Sequence, residues 1–342
     1  MNLYGKHWTR RQLEARVGRI EQIGGVRRYR LAEGLEDGTE QIEVRTGAGL
    51  HFRVTPSKGM DLSLAEFGGT PFSWQSPNGD VHPSYYNDRG TQWLRTASGG
   101  LLMTCGLIHA GSPDIADGEE LGLHGRCHHL PARQVTARGK WRGDEYEYEI
   151  SGTIEETSIF GDQLILHRTI AGKLGENRIS LYDRVENTGY KPSPHMMLYH
   201  FNFGFPLMDE QTVIRFPPGT IQARDAEMNT EGYERWQAPD PLYREQVYYH
   251  RPTQEKPTVT LQQPAFPVGA GTIPLTVTLA WEAKQLPNVI QWKMPGFGTH
   301  VLGVEPSNCF VEGRNAERKR GSLVQLEPGE AAEYRLELNI IV

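Results

Sequence analysis

The chain has 342 residues, of which 37% are hydrophobic and 23% are charged, so it can bury a core and does not have the composition of a disordered protein. A formal net charge of -6 offers no basic surface for nucleic acid or anionic lipid, and no run approaches the roughly 18 apolar residues of a membrane span. Residues 1–19 lack the apolar segment of a secretory signal, and the three cysteines form no closely spaced pair. We therefore predict a cytoplasmic protein with free thiols.

One helix is predicted near the start, from Arg10 to Val17, with Thr9 as its N-cap. Beyond it, polar residues alternate with β-branched or aromatic ones, which predicts strands over Gln41–Arg45, Leu50–Thr55, Glu145–Ile154, Leu164–Ile170, Arg178–Val185, Thr212–Phe216, Pro257–Gln262, Thr276–Trp281, Val289–Met294, His300–Pro306, Ser322–Leu326 and Ala332–Val342. Turn sequences separate these strands, and no flexible linker interrupts them. The pattern predicts a single all-β domain over residues 1–342, a large sandwich of antiparallel sheets with residues 1–20 as a helical extension.

Two long segments between the strands are predicted to be functional loops. Asn78–Trp93 and Asp225–Tyr249 both combine tyrosine and tryptophan with polar residues. Binding residues often lie on such loops, and exposed aromatic side chains also occur at subunit contacts. The loops are therefore expected to cover either a ligand cleft or the interface of a homo-oligomer.

Four of the twelve histidines fall within residues 109–129, and His124 lies among glycines in the segment Gly122–Gly125. Glycine lets a backbone approach a ligand closely, and imidazole exchanges protons near neutral pH. Arg126 is close enough in sequence to reach into the same pocket. The alternative is that His124 is only a turn residue.

The segment Met197–Pro206 alternates aromatic and polar residues, as a half-buried strand does. One face would carry Tyr199, Phe201, Phe203 and Phe205, and the other His200, Asn202 and Gly204. His200 and Asn202 would then point together toward one surface and could orient a sugar hydroxyl. In the alternative interpretation, His200 only makes hydrogen bonds inside the sandwich.

Glu305 follows an apolar strand sequence and directly precedes Pro306. Burial there would raise the pKa of the carboxyl toward the range of a general base, whereas a salt bridge to Arg314 would make Glu305 structural. Together with a histidine such as His200, this carboxylate would form an acid–base pair. Opening a pyranose ring needs such a pair, because a proton leaves the anomeric hydroxyl and another reaches the ring oxygen.

Three segments together resemble the motifs of the aldose 1-epimerase (galactose mutarotase) superfamily, in the order in which that superfamily has them. They are Leu123-His124-Gly125, Tyr199-His200-Phe201-Asn202-Phe203 and Val304-Glu305-Pro306. Ser57-Lys58-Gly59-Met60-Asp61-Leu62 and the region from Trp93 to Leu107 resemble a divergent bacterial branch of that superfamily.

The resemblance implies a galactose mutarotase-like β-supersandwich that interconverts sugar anomers without a cofactor. It implies Glu305 as the base, His200 as the acid and His124 as a residue that orients the substrate. Arg95 would replace an Asn and Arg pair of true mutarotases. Trp93, as an aromatic platform, with Asn202 and Arg126 would complete the substrate-binding set.

Two other functions remain open from the sequence. A divalent metal held by His109, His124, His128 and Glu305 would support another isomerase, epimerase or lyase reaction on a sugar. A non-catalytic carbohydrate-binding module would use aromatic platforms instead, namely Trp74, Tyr86, Trp93 and Trp236. A phosphorylated sugar would need cationic partners, for which the candidates are Arg89, Arg95 and Arg126.

Overall fold

The computed structural model describes residues 1–342 and is almost entirely β-structure. The first strands are β1 (Asn2–Leu3), β2 (Lys6–His7), β3 (Gly25–Arg30), β4 (Glu40–Arg45), β5 (Leu50–Thr55), β6 (Asp61–Phe67), β7 (Thr70–Pro71), β8 (Leu102–Leu107), β9 (Asp114–Ala116), β10 (Glu119–Leu121), β11 (Arg133–Arg142) and β12 (Glu145–Thr157). The others are β13 (Gln163–Lys173), β14 (Arg178–Asn187), β15 (Ser193–Gly204), β16 (Val213–Arg215), β17 (Gly219–Ala223), β18 (Gln246–Pro252), β19 (Thr258–Val268), β20 (Gly271–Trp281), β21 (Asn288–Pro295), β22 (His300–Ser307), β23 (Val324–Leu326) and β24 (Ala331–Ile341). The two α-helices are α1 (Arg10–Glu14) and α2 (Arg314–Arg320).

Two large sheets make up most of the molecule. An eight-stranded sheet has the order β11-β12-β13-β14-β24-β20-β19-β16, and a twelve-stranded sheet has the order β17-β18-β21-β22-β15-β8-β6-β5-β4-β3, with β23 paired to β15 and β7 to β6. Neighbouring strands are antiparallel in both sheets. The predicted all-β class with antiparallel sheets is confirmed.

The main core lies between the two sheets, and residues of both contribute to one cluster of 50 buried side chains. The alternation in the sequence produces this arrangement, because every second residue along β14 is buried while the residues between are partly exposed. A second cluster of 12 buried residues, which includes Met103, Leu198 and Ile290, covers the other face of the twelve-stranded sheet around β15. That sheet is therefore covered on both faces at its centre.

Strand β15 is buried along its whole length. Tyr199, Phe201 and Phe203 point into the main core, as the alternation predicts, and His200 points to the opposite face. The prediction for Phe205 is wrong: β15 ends at Gly204, and 65% of Phe205 is exposed.

The short N-terminal helix is confirmed, with Thr9 and Gln12 forming a capping box at its start. The helix ends at Glu14 rather than at the predicted Val17. Leu13 is its single buried residue, so no apolar face extends far enough to stabilise another turn. The boundary of an N-terminal extension at residue 20 stays a prediction. Neither helix has the length and apolar character needed to cross a bilayer.

Candidate active site

A cavity of about 400 Å³ lies over the face of the twelve-stranded sheet that is turned away from the main core. Side chains of β8, β15, β22 and β21 form its floor, and connections between strands form its walls. Its volume is in the range of about 300–1,000 Å³ that is typical of small-molecule sites. The lining includes three tryptophans and four groups able to exchange a proton or accept a hydrogen bond: Trp74, Trp93, Trp292, His124, His200, Glu245 and Glu305.

His200 and Glu305 face each other on this floor. They lie on neighbouring strands, whose register pairs Phe201 with Val304 and so places His200 beside Glu305. The distance from His200 Nε2 to Glu305 Oε1 is 3.2 Å. Gly303, on the same face of β22, leaves the necessary room, since a Cβ built there would lie 2.6 Å from Glu305 Oε1. The fold thus brings the predicted acid and base together.

Burial controls the protonation of this pair, because 6% of His200 and 2% of Glu305 is exposed. Loss of solvation raises the pKa of Glu305 well above its usual range and lowers the pKa of His200 to about 4. Both shifts favour the neutral form of the group, which is the protonated carboxyl for Glu305 and the unprotonated imidazole for His200. The alternative salt bridge from Glu305 to Arg314 does not form, because Arg314 Nη2 lies 3.6 Å from the carboxylate of Asp117.

His124 forms a wall of the cavity next to His200. Its φ of 58° lies in the left-handed region, which is uncommon for a residue with a side chain and costs about 1–3 kcal/mol. Gly125 packs so tightly that a Cβ would lie 2.2 Å from the carbonyl oxygen of His109. The ring centroid of His124 lies 5.8 Å from that of His200 and 5.0 Å from that of Trp93. His124 is therefore both a turn residue and part of the cavity wall.

Trp93 belongs to the 3₁₀ turn Gln92–Arg95 and packs against histidines on its inner side. Its ring centroid lies 5.8 Å from that of His128 and 6.0 Å from that of His129. The indole N–H is buried and has no hydrogen-bond partner in the protein. Because buried donors normally have a partner, this N–H is a candidate donor to a ligand.

On the other side of His200 lie residues that the sequence did not assign to a site. The Trp292 ring centroid lies 5.5 Å from that of His200, and the two rings are nearly perpendicular. Trp292 Nε1 donates to Glu245 Oε2 over 2.9 Å, and Arg224 Nη2 donates to Glu245 Oε1 over 3.1 Å. Trp74, which the sequence suggested only as a stacking residue, lies edge-on to Trp292 with centroids 6.3 Å apart.

The sequence predicted the segments that contain these residues, but not that the segments would line the same cavity. Trp292 lies in the predicted strand Val289–Met294, and Glu245 lies in the predicted loop Asp225–Tyr249. The loop ends earlier than predicted, because β18 begins at Gln246 and pairs with β21. The short glycine-containing connection between Val289–Met294 and His300–Pro306 is typical of a hairpin and could have placed Trp292 beside β22, whereas nothing in Asp225–Tyr249 indicated that Glu245 would lie there.

Asn202 does not line the cavity. It shares the face of His200, as predicted, but it is fully buried. Its Nδ2 donates to the carbonyl oxygens of Gly100, over 3.2 Å, and of His200, over 3.0 Å. The side chain therefore braces the strand next to the acid–base pair, and the expectation that it points into the cleft is corrected.

Arg95 and Arg126 also lie outside the cavity lining, contrary to expectation. The guanidinium of Arg126 donates hydrogen bonds to the carboxylates of Asp88 and Glu119, both over 3.0 Å. These two carboxylates balance its positive charge outside the cavity. Arg95 is exposed at the end of its turn. Their predicted roles in substrate binding have no geometric support.

The four residues of the metal hypothesis do not form a coordination site. Across residues 1–342, no group of three or more His, Cys, Asp or Glu side chains is placed to hold a metal ion. His128 Nδ1 instead lies 2.7 Å from Asp61 Oδ2, and both ring nitrogens of His109 are buried without a partner. His124 and Glu305 remain as cavity residues.

The sequence of the chain also matches a known family. A family described as a domain of unknown function, DUF4432, matches residues 36–340, which is most of the chain. The chain belongs to the DUF4432 family. No curated protein matches the sequence of this DUF4432 chain.

Solved structures confirm the galactose mutarotase-like fold. A candidate aldose 1-epimerase from Klebsiella pneumoniae is 24% identical and superposes with a TM-score of 0.84 over 94% of this chain and 86% of that one. The galactose 1-epimerase of Lactobacillus acidophilus NCFM is 12% identical, with a TM-score of 0.60 over 92% of this chain and 98% of the other. The protein Slr1438 of Synechocystis is 13% identical, with a TM-score of 0.64 over 91% and 99% of the two chains. The similarity of fold thus extends over most of this DUF4432 chain and is not confined to the three short motifs.

Proposed function

We propose that the protein is an isomerase of the aldose 1-epimerase type, which interconverts the α and β anomers of a free sugar. The observation that carries this proposal is the contact between His200 and Glu305, 3.2 Å apart on the floor of the cavity. The structural neighbours named as aldose 1-epimerases support the same reaction class. Fold alone does not determine function, whereas a buried acid–base pair in a cavity is specific to proton-transfer chemistry.

The reaction needs two proton transfers, one at each of the two oxygens that are bonded to C1. A base removes the proton of the hydroxyl on C1, the bond between C1 and the ring oxygen breaks, and an acid protonates the ring oxygen to yield the open aldehyde. Rotation about the C1–C2 bond and the reverse steps produce the other anomer. Both oxygens are bonded to C1, so a neighbouring base and acid such as Glu305 and His200 can serve them at once.

One proton shared by the pair would suit this chemistry. With the proton on His200, Glu305 is a carboxylate that can accept the C1 hydroxyl proton, and the imidazolium can protonate the ring oxygen. Burial favours the neutral form of both groups in the empty site, whereas a sugar hydroxyl that donates to Glu305 favours the carboxylate. Substrate binding then promotes the catalytic charge distribution.

The rest of the lining suits an unphosphorylated sugar. Tryptophan rings offer flat surfaces for the C–H faces of a pyranose, and Glu245 can accept from its hydroxyls. The one arginine of the lining, Arg224, is already paired with Asp225 over 3.0 Å and with Glu245 over 3.1 Å. The arginines suggested for a phosphate, Arg89, Arg95 and Arg126, lie outside the cavity lining.

Saturation-transfer NMR on a panel of aldoses tests the proposal, with anomer exchange measured for wild type, Glu305→Gln and His200→Ala. We expect wild type to accelerate exchange for at least one sugar, and each substitution to lower kcat by roughly 10²–10⁴-fold, the usual contribution of a general acid or base. Glu327→Gln and His7→Ala, at exposed positions, are the matched controls and are expected to leave the rate unchanged. Circular dichroism confirms that each variant is folded.

Two outcomes contradict the proposal. If no aldose responds, or if folded Glu305→Gln retains the wild-type rate, the pair does not perform this reaction. Parallel samples treated with EDTA address the alternative metal-dependent enzyme, which predicts loss of activity on any sugar when the metal is removed. A carbohydrate-binding module predicts binding of a sugar without acceleration of exchange.

A further inference from the structure

The side-chain amide of Asn202 has a fixed orientation beside the acid–base pair. Its Nδ2 donates to the carbonyl oxygens of Gly100, over 3.2 Å, and of His200, over 3.0 Å, which uses both of its hydrogens. Exchanging the nitrogen and the oxygen of the amide would set Oδ1 against these two acceptors, so the assignment is not ambiguous. Oδ1 itself is buried and has no hydrogen-bond partner.

The imidazole of His200 has the complementary unpaired atom. Its Nε2 lies 3.2 Å from Glu305 Oε1, whereas its Nδ1 is buried without a partner. His200 and Asn202 are two residues apart on β15, so their side chains share one face of the strand. An unpaired acceptor and an unpaired ring nitrogen thus lie side by side in a place that excludes water.

The surroundings of Nδ1 favour a proton on this atom. Contact with the Asn202 side chain and with the carbonyl oxygen of His200 itself raises the pKa of the imidazole, against the larger lowering by burial. Neither contact has the geometry of a full hydrogen bond in the empty site, and no group of the protein donates to Nδ1. Hydrogen bonds of catalytic groups are often long in an empty site and shorten when the substrate binds.

The position of this proton determines what Nε2 can do. A neutral imidazole has one N–H and one lone pair, and the partner of one nitrogen sets the state of the other. With the proton on Nδ1, the lone pair of Nε2 faces Glu305. Burial favours the protonated carboxyl of Glu305, which is the matching donor.

We propose that Asn202 is a positioning residue, which accepts from Nδ1 of His200 and thereby leaves Nε2 free to take the proton of Glu305. The catalytic part of this inference rests on the proposed function. Transfer of the carboxyl proton to Nε2 gives a carboxylate and an imidazolium whose other N–H donates to Asn202 Oδ1. The carboxylate then accepts the proton of the C1 hydroxyl, and Nε2 gives its proton to the ring oxygen.

Ring opening thus returns both groups to their starting protonation. In the other tautomer, the proton of the neutral imidazole is on Nε2. Its transfer to the ring oxygen would leave an imidazolate, which is a much poorer product than a neutral imidazole. The tautomer of His200 therefore decides whether it can act as the acid.

Nitrogen-15 NMR of the histidine side chains tests the tautomer in the sugar-free wild-type protein at pH 7.5. The resonances of His200 are identified by their loss in His200→Gln. We expect the chemical shift of an N–H nitrogen for Nδ1 and that of a nitrogen with a lone pair for Nε2. An unprotonated Nδ1 overturns the inference. This measurement needs no activity, so its result is independent of whether an aldose is found to respond.

Two substitutions separate the acceptor role of Asn202 from its support of the backbone. Asn202→Leu keeps the branched shape but removes both roles, whereas Asn202→Asp keeps an acceptor oxygen and loses the donors to Gly100 and His200. We expect the form with the proton on Nε2 to appear in Asn202→Leu and not in Asn202→Asp. If Nδ1 stays fully protonated in folded Asn202→Leu, the side chain only supports the backbone and the inference is wrong.

Kinetics of anomer exchange test the consequence for catalysis. We expect Asn202→Leu to lower kcat by about 10–100-fold, the usual effect of losing a hydrogen bond to a charged group, with little change in KM because Asn202 does not line the cavity. Asn187→Leu is the matched control, since Asn187 is fully buried and its Nδ2 donates to two carbonyl groups, both over 2.7 Å, outside the cavity lining.

The control variant, once folded, is expected to keep the wild-type kcat and the wild-type tautomer of His200. An equal loss of kcat in Asn187→Leu, or a raised KM with unchanged kcat in Asn202→Leu, overturns the positioning role. Absence of exchange with every aldose in the wild-type protein contradicts the proposed function instead, while the NMR measurement still decides the role of Asn202.

Discussion

Gly303 leaves the space in which Glu305 and His200 meet. A Cβ at this position would lie 2.6 Å from Glu305 Oε1, 2.9 Å from Trp292 Cβ and 3.3 Å from His200 Cε1. The first two distances are shorter than side-chain packing allows. Its backbone has no positive φ, so the requirement for glycine here is one of space rather than of conformation.

Replacing Gly303 by alanine is therefore expected to displace the acid–base pair while the sheet persists. A shift of about 1 Å at a reacting group costs roughly 10²-fold in rate, and we expect a loss of that order in kcat for anomer exchange. The overpacking is expected to lower the free energy of unfolding by about 1–3 kcal/mol, measured by urea titration. Gly271→Ala is the control, since no atom lies within 4 Å of the added Cβ. Wild-type activity in Gly303→Ala would show that the close contact is not needed.

At the scale of elements, Arg168 links the two sheets beneath the site. It lies on β13 of the eight-stranded sheet, where it contacts Asp183 of β14 over 2.7 Å and Asp61 of β6, in the twelve-stranded sheet, over 2.8 Å. Its side chain is fully buried. Burial raises the pKa of Asp61 to about 6 even with this partner, so the network depends on the guanidinium to balance two carboxylates.

Arg168→Met is expected to destabilise the fold strongly, because it leaves two buried carboxylates without their partner. Breaking a buried ion pair from one side costs about 3–5 kcal/mol, which a shift of the urea midpoint would report. Arg138→Met removes an exposed pair with Glu149 and is expected to cost about 0–1 kcal/mol. If the two variants unfold at the same urea concentration, the buried ion pairs of Arg168 contribute no more to the free energy of unfolding than an exposed pair does.

At the scale of the whole molecule, eight of the twelve histidines have a pKa lowered mainly by burial. The pKa falls to about 4 for His109, His195, His200 and His250, and to about 3 for His124. Each is neutral in the folded protein at a pH where it would be protonated in the unfolded chain. Three buried carboxyl groups have the opposite shift: Asp61, Glu156 and Glu305.

Because the histidines with a lowered pKa outnumber the carboxyl groups with a raised pKa, we predict that the free energy of unfolding falls as the pH decreases below about 6.5. Between pH 6.5 and about 4.5 the unfolded histidines bind protons that the folded ones do not, and each contributes up to about 1.4 kcal/mol per pH unit. The three raised carboxyls oppose the trend, since the folded state holds their protons in this range, but they are outnumbered. The urea midpoint at pH 7.5, 6.5 and 5.5 measures the effect. A midpoint that is constant or rises toward pH 5.5 would contradict it.

The sequence by itself determined the class of fold and the central pair of the site. The alternation of apolar and polar residues predicts strands such as β14 and β24 correctly, because a strand between core and solvent imposes a period of two. The same alternation separates His200 from the aromatic residues of β15. The carboxylate of Glu305 is recognisable from its place at the end of an apolar strand.

Only the tertiary structure decided which other residues join that pair. Glu245, Trp292 and Met103 are far apart in the chain, and they line one cavity because β18, β21, β22, β15 and β8 follow one another in the sheet, an order that the sequence did not predict. The wrong predictions for Arg126 and Asn202 have the same cause. Arg126 is turned away from the cavity by acidic partners elsewhere in the chain, and Asn202 by carbonyl groups that only the packed strands place beside it. The charge or polarity of a residue can be read from the sequence, but the partner that satisfies it depends on how the strands assemble.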